Sequence, residues 1–143
     1  GVTIVADLTR ADNIASDTFD CMIPTQTLQF VEDVPAVLST AYRILKPGGV
    51  LLATFPGISQ ISRYDMDRWG HFWSLTTRSA KSLFEAVFPA GEVSIEAKGN
   101  VLAASAFLYG LAAEELTADE LESYDPEYEV LITVGARKPE TVG

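Results

Sequence analysis

The sequence has few of the residues that build disulfides and metal sites. Cys21 is its only cysteine and His71 its only histidine among 143 residues. An internal disulfide needs two cysteines, and a thiolate zinc site would lack its other ligands, so we predict neither a disulfide nor a metal centre. A lone cysteine is typical of a reducing compartment, and we expect a cytoplasmic protein.

Positive charge and long apolar runs are scarce as well. Ten lysine and arginine residues stand against twenty acidic residues, which gives a net charge of −10. No stretch collects basic residues into the stripe that a phosphate backbone requires, so nucleic acid is not an expected partner. The longest apolar run, residues 101–113, contains Ser105 and Gly110 and is shorter than the ~20 residues that cross a bilayer. We therefore expect no membrane partner.

The chain does have enough apolar sequence for one core. Apolar residues make up 48% of it, and a chain of this length forms about one domain. The run at residues 92–97 alternates apolar and polar side chains, which predicts a half-exposed strand near a sheet edge. Including that run, the pattern predicts five strands, at residues 2–6, 19–24, 50–55, 92–97 and 128–136.

Helical spacing of apolar residues predicts a first helix over residues 34–45. Asp33 is placed to cap its start. Pro47 cannot continue the helix, and either of the two glycines that follow it suits a left-handed C-terminal position. The order strand, helix, strand with a short turn indicates that the strands at 19–24 and 50–55 are parallel.

Two more helices are expected further along the chain. One lies near residues 79–88, with Thr76 or Thr77 as its cap. The other covers residues 101–115 behind Asn100 and is apolar nearly all round. Such a helix needs cover on several sides, so it should lie deep in the fold or face a partner.

Residues 19–57 carry a longer pattern, FDCMIPTQTLQFVEDVPAVLSTAYRILKPGGVLLATFPG. A strand that begins Phe-Asp, a helix, and a Leu-Lys-Pro-Gly-Gly turn before the next strand make it resemble class I S-adenosylmethionine-dependent methyltransferases of the small-molecule type. With VTIVADL at residues 2–8, the likeness covers most of the chain. It implies an α/β fold with a three-layer, mostly parallel, Rossmann-like sheet. Residues 1–143 would be a single partial domain from the third strand onward, truncated at its N-terminal half.

The resemblance also implies a cofactor, S-adenosylmethionine, and residues that bind it. Asp7 matches the acidic residue whose carboxylate accepts from the adenine amino group, and Leu8 the residue whose backbone N–H bonds to the ring. Thr25 and Gln26 match the strand tip where the methionine portion of the cofactor meets the methyl acceptor. From the residues alone another reading stays open, in which Asp7 caps a turn and the polar pair only ends a strand.

The sequence departs from the family in one respect. Family members carry a Gly-x-Gly-x-Gly loop after the first strand and an acidic residue after the second, and no glycines here have that spacing after a leading strand. We therefore expect an incomplete cofactor site, and activity of this chain alone is an open question. The strand at residues 2–6 lacks its usual neighbours, so it should pair beside residues 19–24 or with another copy in a homo-oligomer.

Methyl transfer from a sulfonium depends mainly on alignment, with help from a base where the acceptor is a hydroxyl. His71 is the candidate catalytic base, because imidazole titrates near neutrality, although a structural role is the alternative. It lies in an aromatic loop with Trp69, Phe72 and Trp73. These rings either shape an acceptor pocket or form a small satellite core.

Two functions follow from these observations. The first is the C-terminal part of a methyltransferase that uses S-adenosylmethionine to methylate a small molecule or glycan. The alternative is a non-catalytic α/β module, derived from a methyltransferase, that mediates oligomerisation or interaction through the apolar helix at residues 101–113. Binding of S-adenosylhomocysteine separates the two.

Overall fold

A four-stranded sheet organises residues 3–140, the part of the chain that this computed structural model describes. The strands lie in the order β1-β2-β4-β3, so β1 and β3 are the edges. β1 is parallel to β2, whereas β4 is antiparallel to both β2 and β3. The strands are β1 (Phe19–Met22), β2 (Leu45–Pro56), β3 (Val93–Lys98) and β4 (Leu131–Arg137).

Five helices and three short 3-10 turns connect and cover the strands in the described residues. None of these helices could span a membrane, and no cluster of three metal-ligating side chains is found in the same range. The helices are α1 (Val34–Ile44), α2 (Arg63–Met66), α3 (Thr77–Glu85), α4 (Val101–Tyr109) and α5 (Ala118–Glu122). The 3-10 turns are Leu28–Phe30, Ala90–Glu92 and Ala113–Glu115.

One face of the sheet holds the core. Leu51, Ala53 and Phe55 of β2 are buried beneath α1 and α3, and the ring of Phe55 meets Phe84 edge to face at 6.1 Å. On the opposite face Leu52 is 44% exposed. The α/β architecture is therefore confirmed, but the second helical layer that a three-layer fold requires is not observed over this face within residues 3–140.

We predicted a mostly parallel sheet, and the observed sheet is mixed. In the described residues only β1 and β2 form a parallel pair, because β3 leads back through a long connection to β4, and β4 inserts between β2 and β3. The prediction that residues 92–97 form a half-exposed edge strand is confirmed by β3.

The strand predicted at residues 2–6 does not form over its described part. Val2 lies outside the described residues, and residues 3–6 belong to no strand. They do not pair beside β1, and Val5 is 83% exposed. An extended apolar segment becomes a strand only when a neighbour supplies a hydrogen-bond ladder, and no neighbour is present here. Pairing with another copy stays a prediction.

The three helix caps were predicted correctly, whereas all three helix ends differ from the prediction. Asp33, Thr76 and Asn100 each accept a hydrogen bond from the third backbone N–H of the following helix. α3 ends at Glu85 instead of residue 88. α4 ends at Tyr109 instead of residue 115, because Gly110 takes a left-handed conformation with φ of 78°.

The end of α1 also differs from the expected glycine cap. Leu45 is already extended, so the helix ends at Ile44 before any glycine. Gly48, with φ of +79°, lies inside β2, where the pairing jumps from Leu45 to Val50 opposite β1. Residues 46–49 therefore form a bulge, and the Gly48 N–H donates to the Lys138 carbonyl at 2.9 Å.

We predict that Gly57→Ala destabilises the fold by about 1–3 kcal/mol. A Cβ at Gly57 would overlap the backbone carbonyl oxygen of Glu129, and backbone yields less easily than a flexible side chain. Gly91→Ala is the matched control, because no atom lies within 4 Å of its added Cβ. Urea denaturation of both variants measures the difference in the free energy of unfolding. Equal stabilities would contradict the close approach at Gly57.

Candidate functional site

The carboxyl ends of β1 and β2 form a polar rim. Because the two strands are parallel, these ends lie at the same edge of the sheet, and a bridge joins Thr25 to Thr54 just beyond β1. Gln26 follows with φ of 47°, an uncommon conformation for a residue other than glycine. Its N–H donates to the Thr54 hydroxyl at 3.0 Å. The chain therefore turns sharply at Gln26 and is held there by β2.

The side chains at the rim also bond to one another. The Gln26 amide donates to the Thr54 hydroxyl at 3.3 Å and accepts from the Gln29 amide at 3.4 Å. The Thr27 hydroxyl donates to the Thr25 carbonyl at 2.9 Å. Thr25, Gln26 and Thr27 are exposed, so the predicted polar residues do lie at the carboxyl rim, where open α/β sheets bind ligands.

Asp7 organises a turn of its own. Its Oδ1 accepts from the Thr9 N–H at 2.9 Å and from the Thr9 hydroxyl at 2.8 Å. The pKa of Asp7 is held below its usual value. The largest cause is the hydrogen bond from the Thr9 N–H, followed by the bond from the Thr9 hydroxyl and, to a smaller extent, the charge of Arg10. Asp7 thus caps a turn, as the open alternative expected. Its Oδ2 has no protein partner within residues 3–140 and is free to accept from a ligand.

Leu8 connects this turn to the protein interior. Its side chain is partly buried and packs against the main core. Its N–H has no acceptor in the described range. The hydrogen bonds of Asp7 stay within residues 7–11, whereas those of Thr25 and Gln26 run to residues 23–29 and to β2. No hydrogen bond joins the two groups within residues 3–140. Their convergence on one ligand stays a prediction.

His71 lies beside the rim, in the loop that follows β2. Its ring meets Phe30 edge to face at 5.5 Å. The next residue, Phe72, donates its N–H to the Gln29 carbonyl at 2.8 Å. Both His71 ring nitrogens are buried without a hydrogen-bond partner in the described residues. The structure therefore brings His71 close to the turn that contains Gln29, and its catalytic role stays a prediction.

The aromatic residues of this loop divide between two roles. Trp73 donates from its indole N–H to the Val31 carbonyl at 2.9 Å and packs against the core. It pins the loop to the main core, and not to the small satellite core that the alternative expected. Trp69 and Phe72 are exposed, and Trp69 contacts Tyr64. These two rings lie at the surface, where an acceptor could meet them.

Sequence reasoning missed Gln29. It is 4% exposed, and its Oε1 has no partner within residues 3–140. A buried, unpaired amide oxygen is costly in a stable fold and is a common mark of a functional position. The only sequence signal was a polar residue between Leu28 and Phe30.

A cleft of about 340 Å³ opens beside Gln26. Gln26 and Ser59 are its polar lining residues, and Phe107 of α4 forms one wall. α4 is fixed at its start by Asn100, which is 8% exposed and donates to the carbonyls of Glu120 at 2.8 Å and Ser123 at 2.6 Å. The other lining residues are apolar: Pro56, Ile58, Val130 and Leu131.

Comparisons with known proteins match this architecture. The family described as "Methyltransferase domain" matches residues 2–53, which include Asp7, Leu8, Thr25 and Gln26. The resemblance to methyltransferases is confirmed. No curated protein sequence matches the chain significantly.

Solved methyltransferase structures share the fold. Phosphoethanolamine N-methyltransferase 2 from Haemonchus contortus, solved with S-adenosylhomocysteine, superposes with a TM-score of 0.56 at 15% identity over 94% of this chain and 36% of that one. A SAM-dependent methyltransferase from Archaeoglobus fulgidus gives 0.57 at 13% identity over 94% of this chain and 66% of its own. The chain therefore spans between about one third and two thirds of these methyltransferases.

The same fold also carries other chemistry. The [4+2]-cyclase SpnF superposes with a TM-score of 0.57 at 18% identity over 94% of this chain and 56% of that one. At such identities the likeness shows the methyltransferase-like fold, whereas the reaction depends on the residues at the site.

We predict that Thr9→Val raises the pKa of Asp7 without restoring its usual value. The substitution removes the hydroxyl bond but leaves the backbone N–H bond, which is the larger cause of the lowered pKa. A carboxyl group with a lowered pKa stabilises the fold above its unfolded pKa, and that stability is lost as the pH falls through the folded value. Titration of the Asp7 carboxyl carbon by NMR measures the change. An unchanged pKa would show that the hydroxyl bond is absent in solution.

Proposed function

We propose that this chain forms part of an S-adenosylmethionine-dependent methyltransferase that acts on a small molecule. The observation that carries the proposal is the rim at Thr25 and Gln26. There a sharply turned, polar strand tip stands beside a cleft, within the segment that matches the methyltransferase family. We expect the enzyme to be cytoplasmic, because the single cysteine is typical of a reducing compartment.

The residues at the two turns fit part of the cofactor. Asp7 offers a carboxylate oxygen and Leu8 a backbone N–H that have no partner within residues 3–140, and these complement the amino group and a ring nitrogen of adenine. Thr25 and Gln26 would hold the methionine portion. When bound, S-adenosylmethionine would supply an electrophilic methyl group. The sequence has no Gly-x-Gly-x-Gly loop, so we propose that the remaining contacts come from residues outside this sequence.

The cleft favours a small acceptor with an apolar body over a glycan. Five of its seven lining residues are apolar, and none is charged. A glycan would bring many hydroxyl groups that need hydrogen-bond partners, and few partners are offered here. In the proposed enzyme, Gln26 orients the acceptor and the apolar walls exclude water. His71 does not line the cleft and both of its ring nitrogens are buried, so its role as the base for a hydroxyl acceptor stays a prediction.

The alternative, an interaction module, keeps one observation in its favour. α4 exposes several large apolar side chains, and exposed apolar patches are typical of binding surfaces. Phe107 belongs to this surface and to the cleft at once. A module without cofactor would use α4 alone, so cofactor binding separates the two functions. The exposed apolar residues of α4 are Val101, Leu102, Phe107, Leu108 and Tyr109.

We predict that S-adenosylhomocysteine binds and that Asp7→Asn weakens the binding about tenfold or more. An asparagine whose amide nitrogen replaces Oδ2 cannot accept from the adenine amino group, and lost charge-assisted hydrogen bonds cost about 1.5–3 kcal/mol. Asp12→Asn is the control, because Asp12 is exposed in the same segment and its substitution removes the same charge. Isothermal titration calorimetry measures both variants. The chain is tested alone and together with whatever residues its reading frame places before Gly1.

The outcomes separate the two functions. Binding in either form that Asp7→Asn weakens and Asp12→Asn does not supports the methyltransferase proposal. If neither form binds S-adenosylhomocysteine, the interaction module is favoured. If the two substitutions weaken the binding equally, Asp7 contributes only its negative charge to the affinity and no specific hydrogen bond.

The apolar cleft makes a separate prediction. Phe107→Asp should lower the affinity for a neutral apolar probe, N-phenyl-1-naphthylamine, by about tenfold, because it places a charge in an apolar wall. Tyr109→Asp is the matched control on the same helix, since Tyr109 is exposed but does not line the cleft. Probe fluorescence gives both affinities. A loss of the same size in the control would show that the probe binds the outer face of α4.

A further inference from the structure

We propose that Arg43 is a positioning residue for the cofactor: its guanidinium holds the turn of residues 7–14, which carries Asp7 and Leu8, against the last turn of α1. This inference rests on the proposed function, because it concerns the affinity of the adenine-binding residues. Arg43 acts through the turn and makes no contact with a ligand itself.

Three hydrogen bonds define the contact. Nη1 of Arg43 donates to the Ile14 carbonyl at 2.7 Å, and Nη2 donates to the carbonyls of Ala11 at 2.9 Å and Arg10 at 3.1 Å. Arg43 forms no salt bridge within residues 3–140, so these carbonyls are the partners of its charge. Bonds from an ionised donor are roughly twice as strong as neutral ones.

The turn depends on this contact because it has few other anchors. Residues 3–6 form no strand, so no ladder ties the segment to the sheet. Its apolar contacts are the partly buried side chain of Leu8 at the main core and a small cluster of Ala11 and Ile14 with Ile44. The chain after the turn is fixed by the Asp17 N–H, which donates to the Arg43 carbonyl at 3.0 Å. Thus the last turn of α1 anchors the segment through side chain and backbone alike.

The contact reaches Asp7 through two hydrogen bonds. The N–H groups of Arg10 and Ala11 donate to the Asp7 carbonyl at 3.1 and 2.7 Å. Two of the three residues whose carbonyls Arg43 holds are therefore the residues whose amides hold Asp7. Release of the guanidinium would loosen the Asp7 backbone, and with it the carboxylate and the neighbouring Leu8 N–H.

The geometry requires arginine and not only a positive charge. The guanidinium donates to three carbonyls from two nitrogens that are fixed in one plane. A lysine side chain has a single donor nitrogen and cannot reproduce this geometry. Arg43→Lys should therefore keep the net charge and the fold but hold the turn poorly. Arg43→Met removes both charge and fork, and Arg78→Met, at an exposed position on α3, is the charge-matched control.

The test combines amide hydrogen exchange with calorimetry on the full chain, in the form that binds S-adenosylhomocysteine. In Arg43→Lys and Arg43→Met we expect exchange of the Arg10 and Ala11 amides to accelerate about tenfold or more. The Ala80 and Phe88 amides, bonded at and after α3, should be unchanged. The dissociation constant for S-adenosylhomocysteine should rise about tenfold with little change in melting temperature for the lysine variant. Arg78→Met should alter neither the amide exchange of Arg10 and Ala11 nor the dissociation constant.

Each other outcome overturns the inference at a known point. Unchanged exchange at Arg10 and Ala11 shows that Arg43 does not hold the turn, whatever the affinity. Faster exchange with an unchanged dissociation constant shows that the turn does not control the cofactor. Uniformly faster exchange across the chain in the lysine variant makes Arg43 a general stabiliser. If the wild-type protein binds no S-adenosylhomocysteine, the proposed function and the cofactor part of the inference fail together, and the exchange data still decide whether Arg43 holds the turn.

Discussion

The double pairing of β2 is the constraint on which the rest of the structure depends. β2 is parallel to β1 on one side and antiparallel to β4 on the other, and its inward side chains Leu45, Leu51 and Phe55 are fully buried. A shift of one residue in either register would turn these side chains to the open face. The same strand supplies Thr54, which holds Gln26 at the rim. The position of the candidate site is therefore a consequence of how β2 is packed.

The end of β4 and the segment before β1 are joined where β2 begins. The Lys138 ammonium donates to the Leu45 carbonyl at 2.8 Å and to an Asp17 carboxylate oxygen at 2.6 Å, and it lies 5.2 Å from the ring centre of Tyr42. Its side chain is only 15% exposed, so these partners replace much of its hydration. The contact connects the end of β4, the start of β2 and the segment after the Asp7 turn.

Local signals in the sequence predicted the local features of the fold. The cap at Asp33 and the apolar spacing behind it need only residues within one helical turn of each other, and α1 forms as expected. The polar tip at Thr25 was predicted for a similar reason, because a strand end can be read from the run before it. Partners far along the chain cannot be read this way. Whether residues 3–6 pair depends on a neighbouring strand, and the sequence pattern of a strand does not contain its neighbour.

The same distinction explains which site residues were found. Asp7 and Thr25 follow apolar runs, and the resemblance to methyltransferases implied their roles. Gln29 and Phe107 gave no such signal, since one is buried by a loop about forty residues away and the other joins the cleft only through the packing of α4. Arg43 looked like an ordinary charge on a helix surface until its three carbonyl partners were in view.

The two candidate ends of the cofactor site are anchored to neighbouring elements, α1 and β2. The Asp7 turn is held by Arg43 in the last turn of α1, and Gln26 is held by Thr54 near the end of β2. α1 passes directly into β2, so the two anchors belong to one continuous, mostly buried segment from Val34 to Pro56. Neither turn needs to belong to a paired strand, because hydrogen bonds to that segment fix the position of each turn. This segment can thus hold the proposed adenine and methionine contacts in a fixed relation although residues 3–6 form no strand.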